Sequence, residues 1–276
     1  YVSAVVTSFN RADQLAQTLT SLVEQDYRVD QVIVCDDAST DDAVDVASGF
    51  RDEFQEMQIL STSINRGMPA NLNQGLLRAD GEYVQICHDG DVFSPGLFRE
   101  QIRLLALHES AGLAFCSYEY ASSGLVTREP VSEFVKGHDL IDFLVARKRY
   151  NCAIRGTAMI RAPVLETVGL PSPVFRQVAD VDYWFRVLEC FDAVYVAHES
   201  IVLPSGDTVK GNYETIPLTN ARLASAAFIT ADIRRALHSG ESIQRVCSRH
   251  LWRYTVKALQ LRSLIVRRRL INEWKV

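Results

Sequence analysis

Between residues 2 and 118 the hydrophobic pattern switches repeatedly between short β-branched runs and helical spacing, and this alternation restricts the fold more than any other feature. Residues 2–9 are β-branched and apolar, as in a buried strand. Asn10-Arg11 ends that run, and residues 12–25 then place Leu15, Leu19, Leu22 and Val23 at helical spacing. The pattern predicts further strands over 29–35, 57–61, 83–87 and 112–118. The helices between them are predicted at about 42–54, from Pro69 to about Ala79, and at 98–108. Strands that alternate with helices form a mainly parallel, doubly wound sheet with helices on both faces, so the predicted class is α/β and Rossmann-like. Beyond Tyr120 the pattern loosens. Helical spacing returns over 138–147 and 179–191, short strands are predicted at 156–160 and 193–197, and two long helices at 220–238 and 243–271 close the chain. The expected division is a core over 1–205, with halves 1–120 and 121–205, and a C-terminal helical appendage over 212–276.

Six cysteines are scattered without a C-x-x-C pair, several within apolar runs, which predicts reduced core thiols rather than a disulfide framework or a zinc site. No stretch reaches the roughly 18 uninterrupted apolar residues of a membrane span. A cytoplasmic setting is the expectation that follows. The first residue, Tyr1, already stands at the edge of a strand, so the sequence reads as a piece of something longer.

Acidic residues recur where predicted strands end or helices begin: Asp36 and Asp37, Asp89 and Asp91, Asp180 and Asp182. In a parallel sheet the first two pairs converge on one edge, the edge at which open α/β sheets bind ligands. Two carboxylates one residue apart, with Gly90 between them, suit a divalent cation that bridges phosphate oxygens; an acidic turn is the plain structural alternative. Neither G-x-G-x-x-G nor G-x-x-x-x-G-K-[ST] is present, so the dinucleotide and P-loop fingerprints are missing.

Thr7-Ser-Phe-Asn10, Asp36-Asp-Ala-Ser-Thr-Asp41, Asn65-Arg-Gly-Met-Pro-Ala-Asn-Leu-Asn-Gln-Gly75 and His88-Asp-Gly-Asp91 occur in that order. Together they resemble the nucleotide-sugar half of family 2 glycosyltransferases with the GT-A fold. Residues 155–161, Val168-Gly-Leu170 and Ala179-Asp-Val-Asp-Tyr-Trp-Phe-Arg186 resemble the acceptor half. The resemblance implies transfer of a sugar with inversion, from a nucleoside-diphosphate sugar to a hydroxyl of a glycan or glycolipid acceptor in surface polysaccharide assembly. A UDP-sugar is the first expectation for the donor, and Mn²⁺ or Mg²⁺ for the cofactor. It also implies that Phe9, Asn10, Arg11, Asp36, Asp37, Arg66 and Asp89 bind the nucleotide-sugar. Asp91, with Asp89, would hold the metal. Asp180 would be the general base, with Asp182 as fallback, because a carboxylate can take the proton of the attacking hydroxyl.

Two departures stand against the family pattern. Ala179 occupies the place of a usual glutamate before Asp180, and Leu203-Pro-Ser-Gly-Asp-Thr-Val-Lys210 stands where a Tyr-Arg-x-His stretch is common. They favour the alternative of a non-catalytic GT-A-like binding or scaffolding module within a larger synthase.

Charge is uneven along the chain. Residues 242–276 carry nine lysines and arginines against one acid, Glu273, in a chain whose net charge is −5. Cys247, Leu251, Tyr254, Ala258, Leu261 and Ile265 form an apolar seam on this basic helix. The seam either packs on the core or lies on an anionic membrane surface, peripheral at the inner face of the cell membrane. Nucleic acid is not an expected partner, because the rest of the chain is acidic and repels phosphate. If the lipid reading holds, Arg267, Arg268 and Arg269 replaced together by Gln will release the protein from phosphatidylglycerol vesicles, and added salt will do the same. Co-sedimentation checks it: a parent protein left in the supernatant at every salt concentration supports the packed seam instead.

Overall fold

The computed structural model describes residues 1–146, 154, 157–204, 233, 240 and 242. The chain divides into two compact units, Tyr1–Ala227 and Phe228–Val276, and the account below concerns the first. The two expected C-terminal helices, the basic seam and the 205–212 boundary lie outside the described residues.

The first half runs β1 (Val2–Ser8), α1 (Ala12–Val23), β2 (Gln31–Asp36), α2 (Ala43–Gly49), β3 (Glu56–Ser61), α3 (Met68–Leu76), β4 (Tyr83–His88), β5 (Val92–Phe93), α4 (Leu97–Leu107) and β6 (Ala111–Tyr120). The second half runs β7 (Leu125–Thr127), β8 (Phe134–Val135), α5 (Gly137–Ala146), β9 (Met159–Arg161), α6 (Ala162–Val168), α7 (Ala179–Cys190) and β10 (Asp192–Leu203). One sheet takes up the strands in the order β3-β2-β1-β4-β9-β6-β10-β5, with β7 beside β6 and β8 beside β10. Strands β3, β2, β1 and β4 are mutually parallel. β9 then enters antiparallel to both β4 and β6, and β10 pairs parallel with β6.

Strands β1 and β2 are buried along their whole length, as their unbroken apolar runs require when helices cover both faces. Helix α1 turns Leu15, Leu19 and Leu22 into the core. Helix α3 comes much closer to the sheet, and Gly75 is the reason. A Cβ there would lie 2.4 Å from Val5 Cγ1 and 2.5 Å from Cys35 Sγ, so only glycine permits this approach. Asn71 on the same helix is 2% exposed and donates from Nδ2 to the Cys35 carbonyl at 2.7 Å, fixing α3 against β2. Cys35, Cys87 and Cys116 are buried, as expected of core thiols, whereas Cys190 is exposed; burial pushes the Cys35 thiol up to about 12.

Strands β5, β7 and β8 had no expected counterpart, and α2, β10 and α6 also differ from their sequence patterns. The helix expected over 42–54 ends at Gly49, a poor helix former, and a single 3₁₀ turn at Arg51–Glu53 leads Phe54 into the core. The strand expected over 193–197 continues to Leu203 through a register shift between Val196 and Ser200. The shift absorbs the polar His198-Glu199 step that breaks the apolar pattern. Helix α6 had no expected counterpart. Its Pro163 supplies a favourable first turn, and Gly169, at φ 79°, follows its last residue.

The far side of the sheet is tied by one carboxylate. Asp192 Oδ2 accepts from Ser110 Oγ at 2.6 Å and from Lys136 Nζ at 2.9 Å, while Oδ1 accepts from the N–H of Gly137 at 3.0 Å, the first residue of α5. Burial pushes the Asp192 carboxyl up, but the bonds from Ser110, Lys136 and Gly137 outweigh it and hold it below the ordinary carboxylate range. A depressed pKa means that the stabilisation is present above the unfolded value and is lost as pH falls through the folded one. Asp192→Ala should therefore cost about 1–3 kcal/mol at pH 7. In urea titrations the gap between parent and variant should narrow as pH is lowered below about 3.9.

Candidate active site

Strand β1 lies in the middle of the parallel set, with β2 on one side and β4 on the other, so the chain leaves β1 one way and returns to its other flank later. Such a reversal opens a crevice beyond the carboxyl ends of the two strands. Every acidic residue singled out in the first half of the sequence lies at this edge.

Asp89 closes the crevice across the reversal. Its Oδ2 accepts the N–H of Phe9 at 3.1 Å, and its Oδ1 pairs with Arg11 Nη1 at 3.1 Å. Phe9, Arg11 and Asp89, expected to act together, are thus brought together. The turn that follows needs Gly90: φ is 95°, and an added Cβ would meet Pro204 at 3.0 Å. The turn sends Asp91 the other way, into the seam made by β9. Asp91 Oδ2 accepts the N–H of His88 at 3.1 Å and the hydroxyl of Thr157. Among the described residues no donor reaches Oδ1 of Asp91, and no lysine or arginine pairs with it. Both carboxylates are nearly buried, at 8% and 4% exposure, and burial pushes both carboxyls up. Arg11 opposes that shift at Asp89; His88 and the Thr157 hydroxyl oppose it at Asp91.

On the other flank the carboxylates hold loops. Asp37 accepts the N–H of Arg66 at 2.7 Å on Oδ1 and that of Gly67 at 2.8 Å on Oδ2, clamping the turn that starts α3. The Arg66 side chain itself is exposed. Asp36 Oδ2 accepts from Ser61 Oγ at 2.9 Å and from the N–H of Ser39 at 3.2 Å, while its Oδ1 is buried without a partner among the described residues. Asn10 takes a left-handed φ of 52° and accepts the N–H of Thr40 at 2.7 Å, tying β1 to the loop after β2. Asp41 accepts from Ala12 N–H at 2.9 Å and from Ala43 N–H at 3.2 Å, capping the starts of α1 and α2 together.

A third wall comes from α7. A small open recess is lined by Met68, Leu72, Ile86, His88, Pro171, Ala179, Asp180, Tyr183 and Trp184. Asp180 and His88, the residue before the D-x-D turn, therefore share one cavity. Asp182 does not line it. That carboxylate is 5% exposed and takes Arg186 Nε at 2.9 Å, and Arg186 goes on to donate to the carbonyls of Val168 at 2.9 Å and Leu170 at 3.0 Å. Asn73 Nδ2 donates to the Pro171 carbonyl at 2.9 Å from the opposite side. The loop forming one lip of the recess is thus pinned from both α3 and α7. Thr157 and Tyr183 were missed as site residues. Thr157 lies inside the quoted 155–161 run, but only strand pairing shows that it meets Asp91.

Among the described residues no group of three or more His, Cys, Asp or Glu side chains is arranged to hold a metal alone. One or two carboxylates nevertheless suffice for a cation that takes its remaining ligands from a diphosphate and water. Asp91, buried and without a cationic partner among the described residues, fits that donor set. No helix among the described residues is long and apolar enough to cross a membrane.

A curled α/β sheet with a D-x-D turn at its switch point and an acidic helix facing it is the GT-A arrangement, and comparison with known proteins agrees. The model of glycosyl transferase family 2 matches residues 3–169, and the chain belongs to that family. A Bacillus subtilis protein assigned as the glycosyltransferase EpsE is 25% identical over 236 residues, 82% of this chain and 81% of its own length. The GalNAc(5)-diNAcBac-PP-undecaprenol beta-1,3-glucosyltransferase of Campylobacter jejuni is 32% identical over 96 residues, 34% of this chain and 31% of its own. Among solved structures, S. aureus TarS 1-349 in complex with UDP superposes with a TM-score of 0.66 at 14% identity, covering 83% of this chain and 64% of that one. The mannosyltransferase PcManGT from Pyrobaculum calidifontis, in complex with GDP-Man and Mn²⁺, gives 0.62 at 17% identity, covering 96% and 79%. At these identities the solved structures establish the fold.

The Asp37 clamp makes a direct prediction. In Asp37→Asn one of the two backbone N–H groups must face an amide donor, at a cost of about 1–3 kcal/mol. Amide hydrogen exchange should speed up at Arg66 and Gly67, while the N–H groups of β1 keep their protection.

Proposed function

We propose that this chain transfers a sugar from a nucleoside-diphosphate donor to a hydroxyl of a glycan or glycolipid, with inversion at the anomeric carbon. The observation that carries the reading is the shared recess: Asp180 from α7 and His88 beside the D-x-D turn line the same opening, so a base and a diphosphate site face each other across it. The C-terminal edge of β1, β2 and β4, with Phe9, Asn10, Arg11, Asp36, Asp37 and Arg66, receives the nucleoside. Asp37 acts there through the turn it clamps, and Asp89 by joining the two walls of the crevice. TarS with UDP supports a UDP-sugar as donor; PcManGT with GDP-Man and Mn²⁺ supports a divalent cation.

Asp91, backed by Asp89, would hold Mn²⁺ or Mg²⁺, which when bound supplies positive charge to the departing diphosphate. The proton of the acceptor O–H passes to a carboxylate oxygen of Asp180 as the acceptor oxygen bonds to the anomeric carbon. The bond from that carbon to the diphosphate oxygen breaks on the opposite face, and its electron pair leaves with the nucleoside diphosphate. One displacement inverts the configuration. Asp182, already committed to Arg186, positions the helix that carries Asp180. The undecaprenol-linked substrate in the name of the Campylobacter relative supports assembly of surface polysaccharide or glycolipid at the inner face of the cell membrane.

Asp180→Asn keeps the shape of the side chain but cannot take the proton, so kcat should fall by about 10²–10⁴ while donor affinity stays level. Asp91→Ala should abolish the stimulation of donor binding by Mn²⁺ or Mg²⁺. Steady-state kinetics and titration calorimetry on the two variants test both roles. Normal turnover in Asp180→Asn would move the base role to Asp182, a parent without turnover would support the scaffolding alternative, and full activity of the parent in excess chelator would remove the metal.

A further inference from the structure

The two carboxylates of the D-x-D turn differ in how many of their oxygens are committed. Asp89 has a donor on each, the Phe9 N–H on Oδ2 and Arg11 Nη1 on Oδ1. Asp91 takes both of its donors on one oxygen: the His88 N–H, at 3.1 Å, and the Thr157 hydroxyl meet at Oδ2. Oδ1 of Asp91 has no donor among the described residues, and unlike Oδ1 of Asp36 it is not sealed from solvent. Among the described residues it is therefore the one carboxylate oxygen of the turn left to take a new ligand. Thr157 is 3% exposed and reaches Asp91 because β9 runs antiparallel beside β4. The ladder pairs Tyr83 with Arg161, Val84 with Ile160 and Gln85 with Met159, and the Ile86 N–H donates to the Ala158 carbonyl at 2.9 Å. Those main-chain bonds hold the segment without a side chain, and a valine at 157 would fill nearly the same space. Neither strand pairing nor packing calls for the hydroxyl.

We propose that Thr157 is a positioning residue for the divalent cation: its hydroxyl, donating to Oδ2 of Asp91, fixes the carboxylate so that Oδ1 is the oxygen presented to the metal. This rests on the assignment of Asp91 to the cation. With the His88 N–H alone, the carboxylate is held by one bond from its own turn and can exchange its two oxygens by rotation. A second donor, fixed by the strand ladder from outside the turn, stops that exchange. Partners of this kind orient a ligand before the metal arrives and so reduce the ordering cost of binding. The hydroxyl also meets part of the hydrogen-bonding demand of a carboxylate that is only 4% exposed.

The test is titration calorimetry on the full chain, on Thr157→Val and on Thr157→Ser, with UDP and GDP, first in excess chelator and then over a series of Mn²⁺ concentrations. In Thr157→Val the Mn²⁺ concentration that half-saturates the gain in nucleotide affinity should rise by about 10- to 100-fold. Nucleotide affinity in chelator should not change, and Thr157→Ser, which keeps the hydroxyl, should hold the parent's Mn²⁺ midpoint. Thr157→Ala carries the same expectation should Thr157→Val fail to fold. An unshifted midpoint in the hydroxyl-free variant, an equal loss of nucleotide affinity with and without Mn²⁺, or a midpoint in Thr157→Ser shifted as far as in Thr157→Val overturns the proposal while leaving the cation on Asp91. A parent whose nucleotide affinity does not respond to Mn²⁺ overturns the cation assignment itself, and this inference with it. A parent that binds neither UDP nor GDP overturns the donor-site reading as well.

Discussion

The carboxylate of Asp89 is the interaction on which the crevice depends. Strands β1 and β4 are paired to their ends, and beyond them the Asp89 carboxylate ties the two chain segments by accepting from Phe9 N–H and pairing with Arg11. A carboxylate in so dry a place is costly unless it is satisfied. The two bonds from β1 reduce that cost and fix the position of the turn that follows. Gly90 can then reverse direction, and Asp91 points away from Arg11 toward Thr157. Two acids one residue apart thereby acquire different jobs: one neutralised by an arginine, the other left without a lysine or arginine partner among the described residues.

The same economy runs through the other acids of the edge. Asp37, Asp41 and Asp182 spend their oxygens on backbone N–H groups or on Arg186, and what they gain is the placement of neighbouring elements. Asp37 sets the start of α3, Asp41 the starts of α1 and α2, and the Asp182–Arg186 pair the loop at 168–170. Motifs that look like ligand sets are therefore to a large extent scaffolding. Affinity for a nucleotide would come from loops already held in place, which reduces the ordering cost on binding.

Family membership and fold are secure, but the chain spans 64% of the TarS fragment and 31% of the Campylobacter glucosyltransferase. What is shared with the solved relatives at 14% and 17% identity is the fold. Tyr183 and Ala179 both line the recess between α3 and α7, and Trp184 and Phe185 are buried.

The alternation of periods determined the parallel half of the sheet, because a strand buried on both faces must be continuously apolar and a covering helix must repeat near 3.6 residues; both periods are written locally in 2–118. The positions of Asp37, Asp89 and Asp91 at strand ends were legible for the same reason. Local pattern could not show that β9 would enter antiparallel between β4 and β6, that β10 would run past its polar bulge to Leu203, or that Thr157 would bond to Asp91. Those pairings join residues far apart in sequence, and short strands carry too little periodicity to announce them. Which of Asp180 and Asp182 lines the recess was likewise a tertiary matter. The two acids are equivalent in sequence, and only the packing of α7 turns Asp180 into the recess while Arg186 claims Asp182.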